Sequence, residues 1–284
     1  MEAVAQEVLL PLVGGRYASL FVRLWQPEAP RATVFCIHGF TGNGSDFDYL
    51  ASFLARNGYM VVCPDMLGRG RSSYLGPGAK YDVNLYFRCF RALQQFAGKE
   101  NHFIGTSWGG TILLLSLYMM RARANKVVLN DVPMFGGPDV DGIRKDIVKD
   151  SEAVFDGRDE ARAYVRSTRT YLGPVDDEVL ERYVENKIVA VDGHYRLAYD
   201  PATTAGFDEM MGRQYDLFAV AAKLDARFLL MYGRDSKFID REAIERARAL
   251  RSDLWSVSNI DAGHPPSLMT LDQALLVLGF LTAA

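Results

Sequence analysis

The hexapeptide Gly105-Thr106-Ser107-Trp108-Gly109-Gly110 limits what this chain can fold into more than any other stretch. It lies between a short apolar run ending at Phe103-Ile104 and a longer one from Thr111 to Met120. That pattern reads as a strand, a one-residue apex and a helix. A side chain carried at such an apex stands clear of the backbone, provided the residues two before and two after are small, because a Cβ there runs into the neighbouring strand or helix. Gly105 and Gly109 hold those two positions. The first turn of the helix leaves backbone N–H groups without intrahelical acceptors, which favours an anion above Ser107. Gly-x-Ser-x-Gly alone arises by chance in long chains, so its weight here comes from the strand before it, the helix after it and the order of the elements further along the chain.

On both sides the chain alternates strand with helix. Tyr17 to Trp25 suits an early antiparallel strand, and Ala32 to Ile37 is an apolar run of the kind buried on both faces in a parallel sheet. Helical spacing over Asp46 to Asn57, strand over Tyr59 to Cys63, helix over Asp82 to Phe96, strand over His102 to Gly105, helix over Trp108 to Arg121 and strand over Val127 to Leu129 continue the series. This predicts an α/β fold with a doubly wound, mostly parallel sheet and its site at the carboxyl ends of the strands.

The series then breaks. The next strand, Phe228 to Tyr232, comes nearly a hundred residues after Asp131, where connections of this kind usually take about 2–6. The gap holds charge-rich helical segments, Gly142 to Val154 and Asp159 to Arg169, and a turn at Asp192-Gly193-His194-Tyr195. Its most economical reading is an inserted helical cap over the site, residues 133–213, dividing a core made of 1–132 and 214–284. Alternation resumes with helix over Arg241 to Leu250, strand over Leu254 to Ile260 and a helix from Leu271.

A formal charge of −3 on 284 residues, with acids and bases scattered, gives no footing for nucleic acid or an anionic membrane surface. No apolar run reaches the roughly 20 residues that span a bilayer. Cys36, Cys63 and Cys89 form no Cys-x-x-Cys pair, so buried free thiols in a reducing compartment are expected, rather than a disulfide or a zinc site. Glu2 and Glu7 ahead of Val8-Leu9-Leu10 make a poor signal peptide, and a cytoplasmic protein with a small-molecule substrate is the default. Self-association stays open.

A serine nucleophile needs a base and a group to orient that base. Of four histidines, His102 begins the strand leading to Ser107, His38 adjoins Gly39-Phe40, where the backbone is the useful part, and His194 falls in the cap. His264, in the loop Asp261-Ala262-Gly263-His264-Pro265-Pro266 after the last strand, is therefore the base. Two acids compete to orient it. Asp131 ends the strand after the elbow helix and is preferred; Asp235, in Gly233-Arg234-Asp235-Ser236 after the penultimate strand, is the alternative. The oxyanion donors are the N–H groups of Trp108 and Phe40. Phe40, Trp108, Met134, Phe135 and Tyr195 are candidates to line the substrate pocket. The second glycine loop, Asp65 to Ser72, lacks the third glycine of a dinucleotide fingerprint and reads as a turn packed beneath the site loops. No metal or organic cofactor is called for.

Taken together, His38-Gly39-Phe40, Asp65 with Gly68, Gly70 and Ser72, the elbow and Gly263-His264 resemble the α/β-hydrolase superfamily over nearly the whole chain. Gly105-Thr106-Ser107, Val128 to Val132 and Arg196 to Pro201 are similar to a bacterial, cofactor-free subgroup. The resemblance implies hydrolysis of an ester, lactone, amide or carbon–carbon bond through a serine. It also favours Asp131, since some relatives with an atypical penultimate-strand loop take their acid from the strand after the elbow. Serine at the apex separates the chain from haloalkane dehalogenases and epoxide hydrolases, which use aspartate there. A small carboxylic ester is the expected substrate; carbon–carbon hydrolysis, a cofactor-free lyase reaction and a binding module without turnover are the alternatives.

Overall fold

The computed structural model describes all residues except 13, 135–139, 212–215, 251, 253–254 and 284. Ten strands run in chain order: β1 (Val4–Pro11), β2 (Tyr17–Trp25), β3 (Ala32–Ile37), β4 (Tyr59–Pro64), β5 (Asn101–Thr106), β6 (Lys126–Asn130), β7 (Ile188–Val191), β8 (His194–Leu197), β9 (Arg227–Gly233) and β10 (Trp255–Ile260). Eight of them make one sheet in the order β1-β2-β4-β3-β5-β6-β9-β10. The β1–β2 and β2–β4 pairs are antiparallel, and every pair from β4 to β10 is parallel.

The central strands are buried on both faces, and their period of two sorts side chains into two cores. In β3, Val34 and Cys36 join one core while Phe35 and Ile37 join the other. Helices α1 (Asp48–Arg56) and α10 (Leu271–Thr282) cover the first face through Leu50, Leu54, Val277 and Leu281. The second face is covered by α2 (Val83–Leu93) and α3 (Trp108–Met120), with the later helices α8 (Leu217–Ala221) and α9 (Arg241–Leu250) beside them. The α3 sequence is apolar nearly all round, as a helix packed between a sheet and other helices must be. The expected elements all form, with shifts of up to three residues at their ends; α2 stops at Leu93, and Gln94–Phe96 continues as a 3₁₀ turn. α1 starts at Asp48 because Gly44–Phe47 is a separate 3₁₀ turn held by the Asn43 side chain, which accepts from the Ser45 N–H.

One strand of the large sheet was not anticipated. β1 lies at the sheet edge with only Val8 and Leu10 buried and Leu9 exposed, so its signal is a weak alternation in a mostly exposed stretch.

Between β6 and β9 the chain leaves the sheet. This segment carries α4 (Val140–Glu152), α5 (Arg158–Thr168), α6 (Asp177–Glu185), α7 (Thr204–Met211) and α8. Of these, α4 and α5 match the expected helical segments; the segment also holds the β7–β8 hairpin, whose turn residues Asp192 and Gly193 take φ of 51° and 82°, the left-handed pair that an Asp-Gly turn favours. A small core gathers Val165, Leu172, Tyr183, Val184 and Leu197 with Met269 from the loop after β10. The segment is stitched to loops at the carboxyl ends of the parallel strands. Tyr171 O accepts from Gly263 N–H at 2.8 Å, Ala198 O from Gly70 N–H at 2.7 Å, and Lys187 pairs with Asp46.

Cys36, Cys63 and Cys89 are free and buried, as their apolar settings predicted. Among the described residues, no helix is long and apolar enough to cross a membrane.

Candidate active site

Ser107 sits between β5 and α3 at φ 49° and ψ −124°, a conformation seldom adopted by a residue with a side chain. The surroundings hold it there. Its N–H donates to Asn130 O on the neighbouring strand at 2.9 Å. The two glycines leave no alternative: a Cβ on Gly105 would stand 2.5 Å from Gly110 Cα, and one on Gly109 would stand 2.3 Å from His38 O and 2.4 Å from Ile37 O. Strand, apex and helix are thus locked by backbone on all sides.

The Ser107 hydroxyl is 2.9 Å from His264 Nε2. The loop after β10 brings that ring across the sheet, and its other nitrogen, Nδ1, stands 3.2 Å from Asp131 Oδ1, within ion-pair reach but off the straight line of a hydrogen bond. Asp131 is fully buried at the end of β6, with φ 54°. Its Oδ2 accepts from Gly233 N–H at 3.2 Å and its Oδ1 from the Ser236 hydroxyl at 2.6 Å. Asp235 is exposed, its N–H donating to Ala262 O at 3.1 Å, with no described contact to His264. Of the two competing acids, Asp131 is therefore the one beside His264.

The His38-Gly39-Phe40 loop passes over the elbow. Among the described residues, no acceptor takes the N–H of Phe40 or of Trp108, and the two rings meet edge to face at 5.7 Å. Gly39 O is fixed by His38 Nδ1 at 2.7 Å and by Gly42 N–H at 3.0 Å. Because a peptide's C=O and N–H point in opposite directions, this also fixes the direction of the Phe40 N–H. Met66 N–H donates to His38 Nε2 at 3.0 Å, so Nε2 bears the lone pair and Nδ1 the proton. Complete burial pushes this imidazole down to about 3, with Arg69 and Lys187 nearby acting in the same direction. The sequence suggested that only the backbone matters at His38; the ring proves to be a neutral bracket for the loop.

The other named residues are more scattered. Met134 is buried in the same core as Phe40 and Trp108, its C=O accepting from Leu217 N–H at 2.9 Å. Phe135 lies outside the described residues. Tyr195 is half-buried in β8 and bridges to Phe155 through its backbone, with no described contact to Ser107, His264, Phe40 or Trp108. His194 is exposed beside Asp156 at 3.1 Å, and His102 is buried near Tyr59 at the far end of β5. Among the described residues there is no group of three or more His, Cys, Asp or Glu that could hold a metal ion.

Four residues at the site have roles that the sequence reading did not assign. Ser236 stands where a Gly-x-x-Asp pattern would place the acid, and that displaced serine was the available signal. The Phe238 ring lies 4.0 Å from the His264 ring. Asn130 Nδ2 donates to Pro266 O at 3.0 Å, holding the histidine loop. Arg69 runs beneath Phe40, donating from Nε to Phe40 O at 3.0 Å. The last three leave no local pattern because their partners are distant in sequence.

An apex serine, a base in contact with it, a buried carboxylate behind the base and two free amides form a set able to carry out acyl transfer. Comparison with known proteins agrees with the architecture: the family model described as the alpha/beta hydrolase fold matches residues 32–268. The chain belongs to the α/β-hydrolase family. This hydrolase is 29% identical over 269 residues to the 3-hydroxybutyrate-oligomer hydrolase of Cupriavidus necator, an alignment covering 91% of this chain and 90% of that one. An α/β hydrolase from Novosphingobium aromaticivorans superposes with a TM-score of 0.80 at 26% identity, covering 98% of both chains. E-2-(acetamidomethylene)succinate hydrolase gives the same TM-score at 20% identity, over 99% of this chain and 100% of that one, and shares the fold.

Proposed function

We propose that this α/β hydrolase cleaves a small carboxylic ester by way of an acyl-enzyme on Ser107, and that short oligoesters of hydroxy acids are the substrate class to try first. The observation that carries the reading is the 2.9 Å contact between Ser107 Oγ and His264 Nε2. In this scheme His264 takes the serine proton as Oγ attacks the ester carbonyl. Asp131 orients the ring and stabilises the imidazolium, without taking the proton itself. The N–H groups of Phe40 and Trp108 hold the oxyanion, each of such donors contributing about 3–4 kcal/mol to the transition state. His264 then protonates the leaving alcohol, and a water activated by the same ring releases the acid. The oligoester class rests on likeness to the Cupriavidus necator enzyme over most of both chains.

The test is turnover on three panels, nitrophenyl esters, 3-hydroxybutyrate dimers and trimers, and vinylogous diketones, with fluorophosphonate labelling of native protein and of Ser107→Ala. Ester turnover and labelling, both abolished by the substitution, are expected. Efficient diketone cleavage with sluggish ester turnover would make the protein a carbon–carbon hydrolase. Tight ligand binding with neither labelling nor turnover would make it a binding module.

A further inference from the structure

Arg69 is completely buried, and among the described residues no carboxylate stands within ion-pair distance of its guanidinium. A buried charge is normally paired, because leaving water without a counter-ion is costly. The nearby acids are otherwise engaged. Asp65 accepts from the N–H groups of Gly44 and Arg71, Asp46 pairs with Lys187, and Asp200 accepts from the Tyr81 hydroxyl and Gly76 N–H.

Arg69 is instead held by dipoles and rings. Nε donates to Phe40 O at 3.0 Å, and Nη1 to Leu67 O at 3.1 Å and to the Tyr86 hydroxyl. The guanidinium carbon lies 4.7 Å from the centre of the Phe40 ring and 5.0 Å from that of Trp108. Nη2 has no hydrogen-bond partner. The charge therefore touches the rings of both residues proposed as oxyanion donors, and among the described residues it forms no ion pair with a carboxylate.

We propose that Arg69 is a positioning residue for the oxyanion: its unpaired buried charge lies against the Phe40 and Trp108 rings, holds Phe40 O, and stabilises the negative charge that develops at the Phe40 and Trp108 amides. The ground-state ester carries no such charge, so the effect falls on the transition state. The planar fork of arginine holds Phe40 O and Leu67 O at once while leaving the charge in place, which a single ammonium does less well. This inference rests on the hydrolase reading of the site. It fails separately from it, since the native protein must first turn over esters.

The experiment compares native protein with Arg69→Lys and the apolar pair Arg69→Met/Tyr86→Phe, which removes the charge and its hydroxyl partner together at similar volume. The second protein leaves Phe40 O and Leu67 O without their arginine donor and is expected to be less stable than native, so its folding is checked by thermal unfolding before its kinetics are read. The expected result is kcat lowered about 30–100-fold in the apolar pair with KM within about threefold, and kcat within about tenfold of native in the lysine variant. Affinity for a trifluoromethyl ketone, whose serine adduct carries the oxyanion, should fall in parallel with kcat. If the apolar pair does not accumulate as folded protein, Arg69→Gln gives the same readout. Equal losses in the charged and neutral variants, a loss confined to KM, or a folded neutral variant with native kcat would each overturn the proposal.

Discussion

The Ser236 hydroxyl donates a 2.6 Å hydrogen bond to Asp131 Oδ1, the oxygen that faces His264 Nδ1 at 3.2 Å. The loop after β9, which carries the alternative acid Asp235, thus contributes a hydroxyl that steadies a carboxylate supplied by β6. Asp131→Asn should lower kcat about 10³–10⁴-fold, because the amide favours the wrong tautomer of the base. Ser236→Ala should cost about tenfold, since Asp131 keeps the Gly233 N–H. In the double variant Asp131→Asn/Ser236→Asp, a carboxylate re-enters the neighbouring position, and kcat should recover at least tenfold over Asp131→Asn. Asp235→Asn should stay within about twofold of native. Steady-state rates on one ester decide all four; a large loss in Asp235→Asn would move the acid.

The elbow should tolerate no Cβ on its helix side. An alanine at Gly109 meets the carbonyls of His38 and Ile37, which are backbone atoms unable to swing aside. Gly109→Ala is expected to lose about 2–4 kcal/mol in urea unfolding. Gly142→Ala is the control, an exposed position in α4 where an added Cβ meets nothing within 4 Å. It should gain up to about 1 kcal/mol from helix propensity. Equal stability of the two variants would mean that the glycine at 109 is incidental.

Both the fold and the elbow were legible because they rest on local spacing. Apolar runs too continuous for a half-exposed strand gave the parallel sheet, and Gly105 and Gly109 around Ser107 gave the turn. His264 followed from its place after the last strand. The edge strand β1 was harder to read, since an antiparallel edge buries only Val8 and Leu10. The functions of Arg69, Asn130 and the His38 ring were invisible for a different reason. Each acts through a backbone carbonyl or amide, of Phe40, Pro266 and Met66, and almost any residue type at those partner positions supplies the same atom, proline at 66 excepted.

Lys187 and Asp46 join the inserted segment to the turn that follows the Phe40 loop. Lys187 is buried and the Asp46 carboxylate is about one-quarter exposed, at 23%. Lys187→Met should therefore cost about 1–3 kcal/mol, less than a fully buried pair, because water reaches the abandoned carboxylate. Adding Asp46→Asn to that background should cost less than it does alone, by about 0.5–2 kcal/mol. A double-mutant cycle in denaturant measures the coupling; additive losses would leave the segment held by its backbone bonds alone.

Acid should loosen the Phe40 loop through His38. Its imidazole is neutral in the folded protein down to about 3, because burial disfavours the cation and Arg69 and Lys187 add to the effect. The ordinary value of 6.5 applies once the chain unfolds. Between those limits the unfolded chain binds the extra proton, so stability is complete above about pH 6.5 and falls as pH drops toward 3. At about 1.4 kcal/mol per pH unit, His38 alone should remove about 2 kcal/mol between pH 6.5 and 5. Buried His102, lowered to about 4, acts in the same sense. Asp48, raised to about 6 by burial, opposes them, weakly because its side chain is 39% exposed. Urea midpoints measured from pH 7 to pH 5 should show this fall in native protein and a smaller one in His38→Asn, whose amide can still donate to Gly39 O. The His38 ring protons should hold one chemical shift over the same range; a titration centred near 6.5 would show that the ring is not the neutral bracket of this loop.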